Sequence, residues 1–417
     1  MDYNDVLNWI HGQLTFGIKP GIDRMKWVLE KLDNPEKNIF GIHVVGTNGK
    51  GSTVNNLQHI LTKSGYHVGT FTSPYIIDFK ERISLDGKMI AEEDLLACAK
   101  QIKPLTDRIN QETDFGHVTE FELITLIMFL YFGRIHPVDI AIIEAGLGGT
   151  YDSTNVFDAF AVICPSIGLD HINILGDTYG EIAAHKAGVI KGGERVIFAI
   201  ANQEARQVFL NQIAKNHATA YEYGHQFNLS PMADALEFES QLGKIPQLEL
   251  AMPGQHQISN AALCIMAAQL LQEKMPRITD ETIRQGLREA FWLGRTELLA
   301  DNLMIDGAHN LESVLALVDV LKEKYSDKKI HLLFGAIDTK PIDKMLAILN
   351  QVGDLTVTTF HYPNAYPLEK YPDNYQKVSD FKEWLEKIDL RSKEDFYLIT
   401  GSLYFISEVR RYWKLKN

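Results

Sequence analysis

The sequence predicts an α/β protein: a parallel sheet covered on both faces through most of the chain, then a smaller Rossmann-like α/β domain. Short apolar runs of strand length alternate with amphipathic helical stretches almost throughout. That pattern is the mark of crossover connections and of strands buried on both sides. A glycine-rich turn, Gly46-Thr47-Asn48-Gly49-Lys50-Gly51-Ser52, joins one such strand to one such helix. After Arg295 the alternation starts afresh, which divides the chain into 1–295 and 296–417.

Taken in order, the expected strands of the first part are Phe40–Val45, His67–Thr72, Asp139–Glu144, Ala161–Ser166 and Arg195–Ala199. The helices between them are Ser52–Ser64, Glu92–Asn110, Thr119–Phe132 and Thr178–Gly188. The first carries Val54, Leu57, Ile60 and Leu61 on one face, and the last opens on a capping-box pair, Thr178 and Glu181. From about Ala218 to Leu250 apolar and polar residues alternate with little helical period, which predicts a small antiparallel patch. A helix is expected near Gln257–Glu273. In the second part, strands are expected at Asn302–Ile305, Lys329–Phe334, Leu355–Thr359 and Phe396–Thr400.

A length of 417 residues fits two or three domains. The net charge of −13 argues against a general nucleic-acid binder, which needs a basic face. Cys98, Cys164 and Cys264 are odd in number, far apart and without metal spacing, as expected of buried thiols in a reducing compartment. The start, Met1-Asp2-Tyr3-Asn4-Asp5, has no signal-peptide core, and the run Leu123–Phe132 is too short to span a bilayer. The expectation is a cytoplasmic protein, a monomer, with no membrane or nucleic-acid partner.

The turn at Gly46–Ser52 has the layout of a phosphate-binding loop: strand, glycines, lysine, hydroxyl residue, helix. Glycines let backbone N–H groups turn inward, and the helix N-terminus adds partial positive charge where an anion would sit. Lys50 can reach terminal phosphates, and Ser52 or Thr53 can hold Mg²⁺. In the common pattern the hydroxyl follows the lysine directly; here Gly51 intervenes. A glycine-rich turn without a ligand is the alternative. Other clusters lie just past strand ends, where a parallel sheet presents its active edge. They are Thr72-Ser73-Pro74, Glu144 with Gly146-Leu147-Gly148-Gly149, and Gly168-Leu169-Asp170-His171. Glu144 reads as a Mg²⁺ ligand or as a solvated strand-end carboxylate, and His171 as a ligand or a structural histidine. Lys186 is a solvated helix lysine, unless it contacts phosphate or is carbamylated into an anion, because an ammonium repels a nearby cation. Gly294-Arg295-Thr296-Glu297 sits at the hinge and Asp306-Gly307-Ala308-His309-Asn310 follows a strand; each is weak by itself.

Together these segments resemble the folylpolyglutamate synthase/dihydrofolate synthase family of the Mur ligase group, from about Gly21 to Ser402. The markers also include Glu81-Arg82-Ile83 and His256-Gln257 with Asn260, and the Gly51 insertion is the family's own spelling. The resemblance implies an ATP-dependent ligase that adds L-glutamate to the γ-carboxyl of a folate through an acyl phosphate; the alternative is a bifunctional enzyme that also acts on dihydropteroate. It implies nucleotide contacts from Thr47, Asn48, Gly49, Lys50, Gly51, Ser52, Asn260, Arg295 and Asp306. It implies Mg²⁺ ligands in Ser52, Ser73, Glu144 and His171, with Lys186 carbamylated and holding a second Mg²⁺. Lys50, Lys186 and His309 form the implied catalytic set. His185 stands where the family usually has Glu. Of other classes, a GTPase switch would need a guanine-reading N-K-x-D, which the chain lacks. A dead scaffold would not need Lys50, Glu144, His171 and Lys186 together.

Overall fold

The computed structural model describes residues 2–13, 21–232 and 234–416. It separates into two compact units. One comprises Met1–Tyr75, Phe79–Ala251 and Ile258–Ala290; the other comprises Ile76–Asp78, Met252–Gln257 and Phe291–Asn417.

The first unit is built on a sheet of β1 (Gly41–Val44), β2 (Val68–Phe71), β3 (Ile83–Leu85), β4 (Lys88–Met89), β5 (Ile140–Glu144), β6 (Ala161–Cys164), β7 (Arg195–Phe198) and β8 (Thr219–Glu222). Its order is β4-β3-β2-β5-β1-β6-β7-β8. The run from β2 to β8 is parallel, and β3 and β4 add an antiparallel edge. The register is direct: Val44 lies opposite Glu144 on one side and Ile163 on the other. Successive strand residues serve opposite faces. Ile42, Val44, Ile142 and Ile163 pack under the helices Lys50–Lys63 and Gln255–Leu271. Val162, Cys164, Val196 and Phe198 pack under Tyr179–Ala187 and Gln203–Lys215. Both faces are thus covered, which is why these strands read as nearly continuous apolar runs. The helix Lys50–Lys63 is seated closely on Asp280–Glu289: a Cβ added at Gly286 would lie 2.6 Å from the backbone N and Cα of Ile60.

One expectation needs correction. The stretch from Ala218 to Leu250 is not a single antiparallel patch. Its first strand, β8, joins the main sheet in parallel beside β7. Only β9 (Phe227–Met232), β10 (Ala235–Ser240) and β11 (Gly243–Leu248) form an antiparallel sheet of their own. Strand β8 is short and half-exposed at the sheet edge, so its alternation resembles that of the hairpins after it.

The second unit carries β12 (Glu297–Ala300), β13 (Leu303–Ile305), β14 (Lys329–Phe334), β15 (Asp354–Thr358), β16 (Gln376–Val378) and β17 (Asp395–Thr400), in the order β12-β13-β17-β14-β15-β16. All neighbours are parallel except β12 and β13. Among the described residues no helix is long and apolar enough to cross a membrane.

Candidate active site

In the first unit the loops after β1, β2, β5 and β6 emerge at one edge of the sheet, on either side of the central β1. The loop after β1 turns into the helix Lys50–Lys63 through Gly49, whose φ of +86° suits only glycine without strain. A Cβ there would also meet the Asn260 amide oxygen at 2.6 Å, so the helix Gln255–Leu271 brings Asn260 against this loop. The loop is stitched to the one after β6. Thr47 N–H donates to the Ser166 carbonyl (2.9 Å), Asn48 N–H to Ser166 Oγ (3.0 Å) and Thr47 Oγ1 to the Gly168 carbonyl (3.1 Å). The amides of Thr47 and Asn48 therefore hold the loop's own shape.

Two lysines converge on one carbonyl. Lys50 Nζ donates to Gly46 O (3.1 Å) and Thr47 O (3.3 Å), and Lys186 Nζ donates to the same Gly46 O at 2.8 Å. Glu144, buried at the end of β5, lies 3.7 Å from Lys50 Nζ. Burial, then the charge of Lys50, pulls the Lys186 amine from its ordinary 10.5 down to about 7. The solvated-lysine reading of Lys186 is thereby excluded; it is 6% exposed. The buried Cys164 thiol beside it is pushed up to about 12 and stays neutral.

The glycine loop after β5 is pressed onto the Lys186 helix: a Cβ on Gly149 would stand 2.7 Å from the carbonyl oxygens of His185 and Lys186. A residue that sequence reasoning missed holds this loop. Asp152 is buried and accepts from Leu147 N–H (2.7 Å), Thr154 N–H (3.0 Å) and Thr154 Oγ1 (2.5 Å). The Thr154 hydroxyl, spent on Asp152, accepts in turn from His43 Nε2 on β1 at 2.8 Å. His43 is neutral, its pKa lowered to about 3 by burial. A carboxylate shortly after a glycine run, two residues before a threonine, was the available signal.

Ser52 is buried in the first turn of its helix, and Ser73 is half-buried in the loop after β2. His171 is exposed, at a φ of 51° ahead of the short helix Ile172–Leu175, and 3.9 Å from the neighbouring carboxylate of Asp170. Among the described residues, no group of His, Cys, Asp and Glu gathers closely enough to cage a metal. Glu144 offers a buried carboxylate, a hard oxygen ligand of the kind Mg²⁺ takes together with phosphate and water, so its chemistry fits that ion.

In the second unit, Arg295, Asp306 and His309 come together around two turns. Asp306 Oδ2 accepts from Thr296 N–H (2.8 Å) and Oδ1 from Ala308 N–H (2.8 Å). Gly307 N–H donates to the Gly294 carbonyl at 2.8 Å, and a Cβ on Gly307 would lie 3.4 Å from the Arg295 guanidinium. His309 Nδ1 lies 2.8 Å from the Gly307 carbonyl. A carbonyl only accepts, so Nδ1 carries a proton. Burial lowers the pKa of His256, while the Asp306 carboxylate opposes the shift. His256 also walls a cavity of about 310 Å³ with Gln255, Glu312, Leu315, Ala316 and Asp319.

Residues 44–268 match the Mur ligase middle domain, and residues 294–403 match the Mur ligase glutamate ligase domain. A Bacillus subtilis protein named dihydrofolate synthase/folylpolyglutamate synthase is 42% identical over 98% of both chains. The chain belongs to the folylpolyglutamate synthase/dihydrofolate synthase family. The folylpolyglutamate synthase of Lacticaseibacillus casei is 33% identical over 99% of this chain and 98% of its own. A structure described as an FPGS–AMPPCP–folate complex superposes with a TM-score of 0.85 at 31% identity over 99% of each chain. As a member of this family the chain is an ATP-dependent ligase of the Mur type, with both its middle and its glutamate ligase domains present.

Proposed function

We propose that this ligase joins L-glutamate to the γ-carboxyl of tetrahydrofolate and consumes ATP in doing so. The full-length likeness to relatives of that name supports the substrate. The observation that carries the chemistry is the convergence of Lys50 and Lys186 on the Gly46 carbonyl, beside the carboxylate of Glu144. The site sets little-exposed charges of both signs side by side, as phosphoryl transfer requires. A folate carboxylate oxygen attacks the γ-phosphorus and ADP leaves; the glutamate amine then attacks the acyl carbon and phosphate leaves. Lys50 follows the transferring phosphoryl oxygens. Asn260, Arg295 and Asp306 are the nucleotide contacts in this reading, and His309 completes the catalytic set. Mg²⁺, held by Glu144, Ser52, Ser73 and His171, would neutralise phosphate oxygens. Lys186 acts as a carbamate, an anionic oxygen ligand, which its half-neutral amine can form. We assign 1–295 to nucleotide binding and 296–417 to the glutamate ligase domain, and read the protein as a cytoplasmic monomer.

The charge on Glu144 is tested by Glu144→Gln, which keeps shape and removes the partner of Lys50. Activity is expected to fall strongly and the Mg²⁺ titration to move to higher concentration. A titration that superposes on the wild type's places the ion elsewhere.

A second reading, addition of glutamate to dihydropteroate as well, is favoured by the double name of the Bacillus subtilis relative. ATP-dependent incorporation of labelled glutamate, run separately with tetrahydrofolate and with dihydropteroate, decides between them. Product from tetrahydrofolate alone supports the single activity, and product from both supports the bifunctional one. No product from either sinks the folate assignment.

A further inference from the structure

The C-terminal helix Leu403–Lys416 buries Phe405, Ile406, Ser407, Val409 and Arg410. Among these, Arg410 is the charged one. Its Nε donates to Glu297 Oε1 at 2.7 Å, with 8% and 7% of the two side chains exposed. The other oxygen of Glu297 accepts from Gly294 N–H at 2.8 Å. On the far side of Arg295, Thr296 N–H is held by Asp306. The amides of Gly294 and Thr296, the two neighbours of Arg295 in the chain, are therefore each held by a buried carboxylate.

That fixing is needed, because the loop is strained. Gly294 sits at a φ of +68° and Thr296 at +42°. A β-branched residue there is an outlier that persists only where the surroundings over-determine it. Thr296 Oγ1 is buried without a partner, so its side chain contributes no compensating hydrogen bond. The same helix face blocks relaxation: a Cβ on Gly294 would lie 2.7 Å from Ile406 Cδ1, and Ser407 Oγ donates to the carbonyl of Ile76. Arg410 supplies the cation beside the buried Glu297 carboxylate, which would be strongly unfavourable alone.

We propose that Arg410 is a positioning residue for the nucleotide: acting through Glu297, it fixes the strained Gly294–Thr296 turn and with it the direction of Arg295. The inference rests on the reading that Arg295 contacts the nucleotide. An ion pair of purely structural value would use the same atoms, so the test must separate loop geometry from general stability.

Binding of the non-hydrolysable analogue AMPPCP is measured by calorimetry on Arg410→Lys, Arg295→Ala and the double variant. Lysine keeps the charge but cannot reproduce the directed Nε–H contact. Arg410→Lys is expected to bind about tenfold more weakly, what one charged hydrogen bond is worth. Arg295→Ala should lose at least as much. The double variant should bind no worse than Arg295→Ala alone, because both changes act on one guanidinium. Should Arg410→Lys fail to fold, Glu297→Gln/Arg410→Met removes both charges and is expected to show the same dependence on Arg295. Wild-type affinity in Arg410→Lys, or losses that multiply in the double variant, overturn the proposal while leaving the nucleotide role of Arg295 standing. Wild-type affinity in Arg295→Ala overturns both.

Discussion

Replacing Lys50 by alanine is expected to abolish ligation. The loss of one charge contact made in the transition state is worth about 3 kcal/mol, a rate factor on the order of a hundred. The structure adds a second effect. Lys50 is 16% exposed and stands over Glu144, itself 4% exposed. Lys50→Ala leaves that carboxylate buried without its cation, so the thermal midpoint is expected to fall as well. The double variant Lys50→Ala/Glu144→Gln should recover much of the stability and none of the activity. Turnover near the wild-type value in properly folded Lys50→Ala would overthrow the phosphate assignment.

Lys186→Ala is expected to be as damaging, and to be partly rescued by formate or acetate, whose carboxylate takes the place of the carbamate oxygens. The pH dependence has a definite sign. Below about 7 the amine of Lys186 is protonated and cannot take up CO₂; above it the free amine dominates. Activity should therefore rise as pH passes through 7, and fall when CO₂ is rigorously removed. Stability moves the same way. The folded-state pKa lies below the ordinary 10.5, so between about 7 and 10.5 the unfolded chain holds a proton that the folded one lacks. In that window folding strengthens as pH rises, and below it the penalty is present in full. Lys186→Met should flatten this slope in denaturant titrations. Full activity without CO₂, or no rescue by any short carboxylate, would remove the carbamate from the mechanism.

The strands were legible because the sheet is covered on both faces. Ile42, Val44, Val162 and Ile163 had to be apolar whichever side they faced. The glycine-rich turn into the helix Lys50–Lys63 was legible because its residues are consecutive. What escaped was whatever depends on distant pairing. The hairpin of β3 and β4 is too short to show a period, and β8 at a half-exposed edge imitates its neighbours. The Ser166 stitch across 118 residues to Asn48 and the pairing of Arg410 with Glu297 have no signature in either partner's neighbourhood. The membership of Ile76–Asp78 and Met252–Gln257 in the second unit is likewise a property of packing and not of sequence order. Lys186 was found, but its depth was not, and depth is what lowers its pKa.

The close seating of Gly286 on the backbone of Ile60 has a genetic meaning. A single methyl group added at position 286 must push against the helix whose first turn carries Lys50 and Ser52. A screen for lost function would return changes at 286 beside changes in the loop itself. The first class would be sensitive to temperature and the second would not. The catalytic loop is thus exposed to mutation through its foundations as well as through its chemistry.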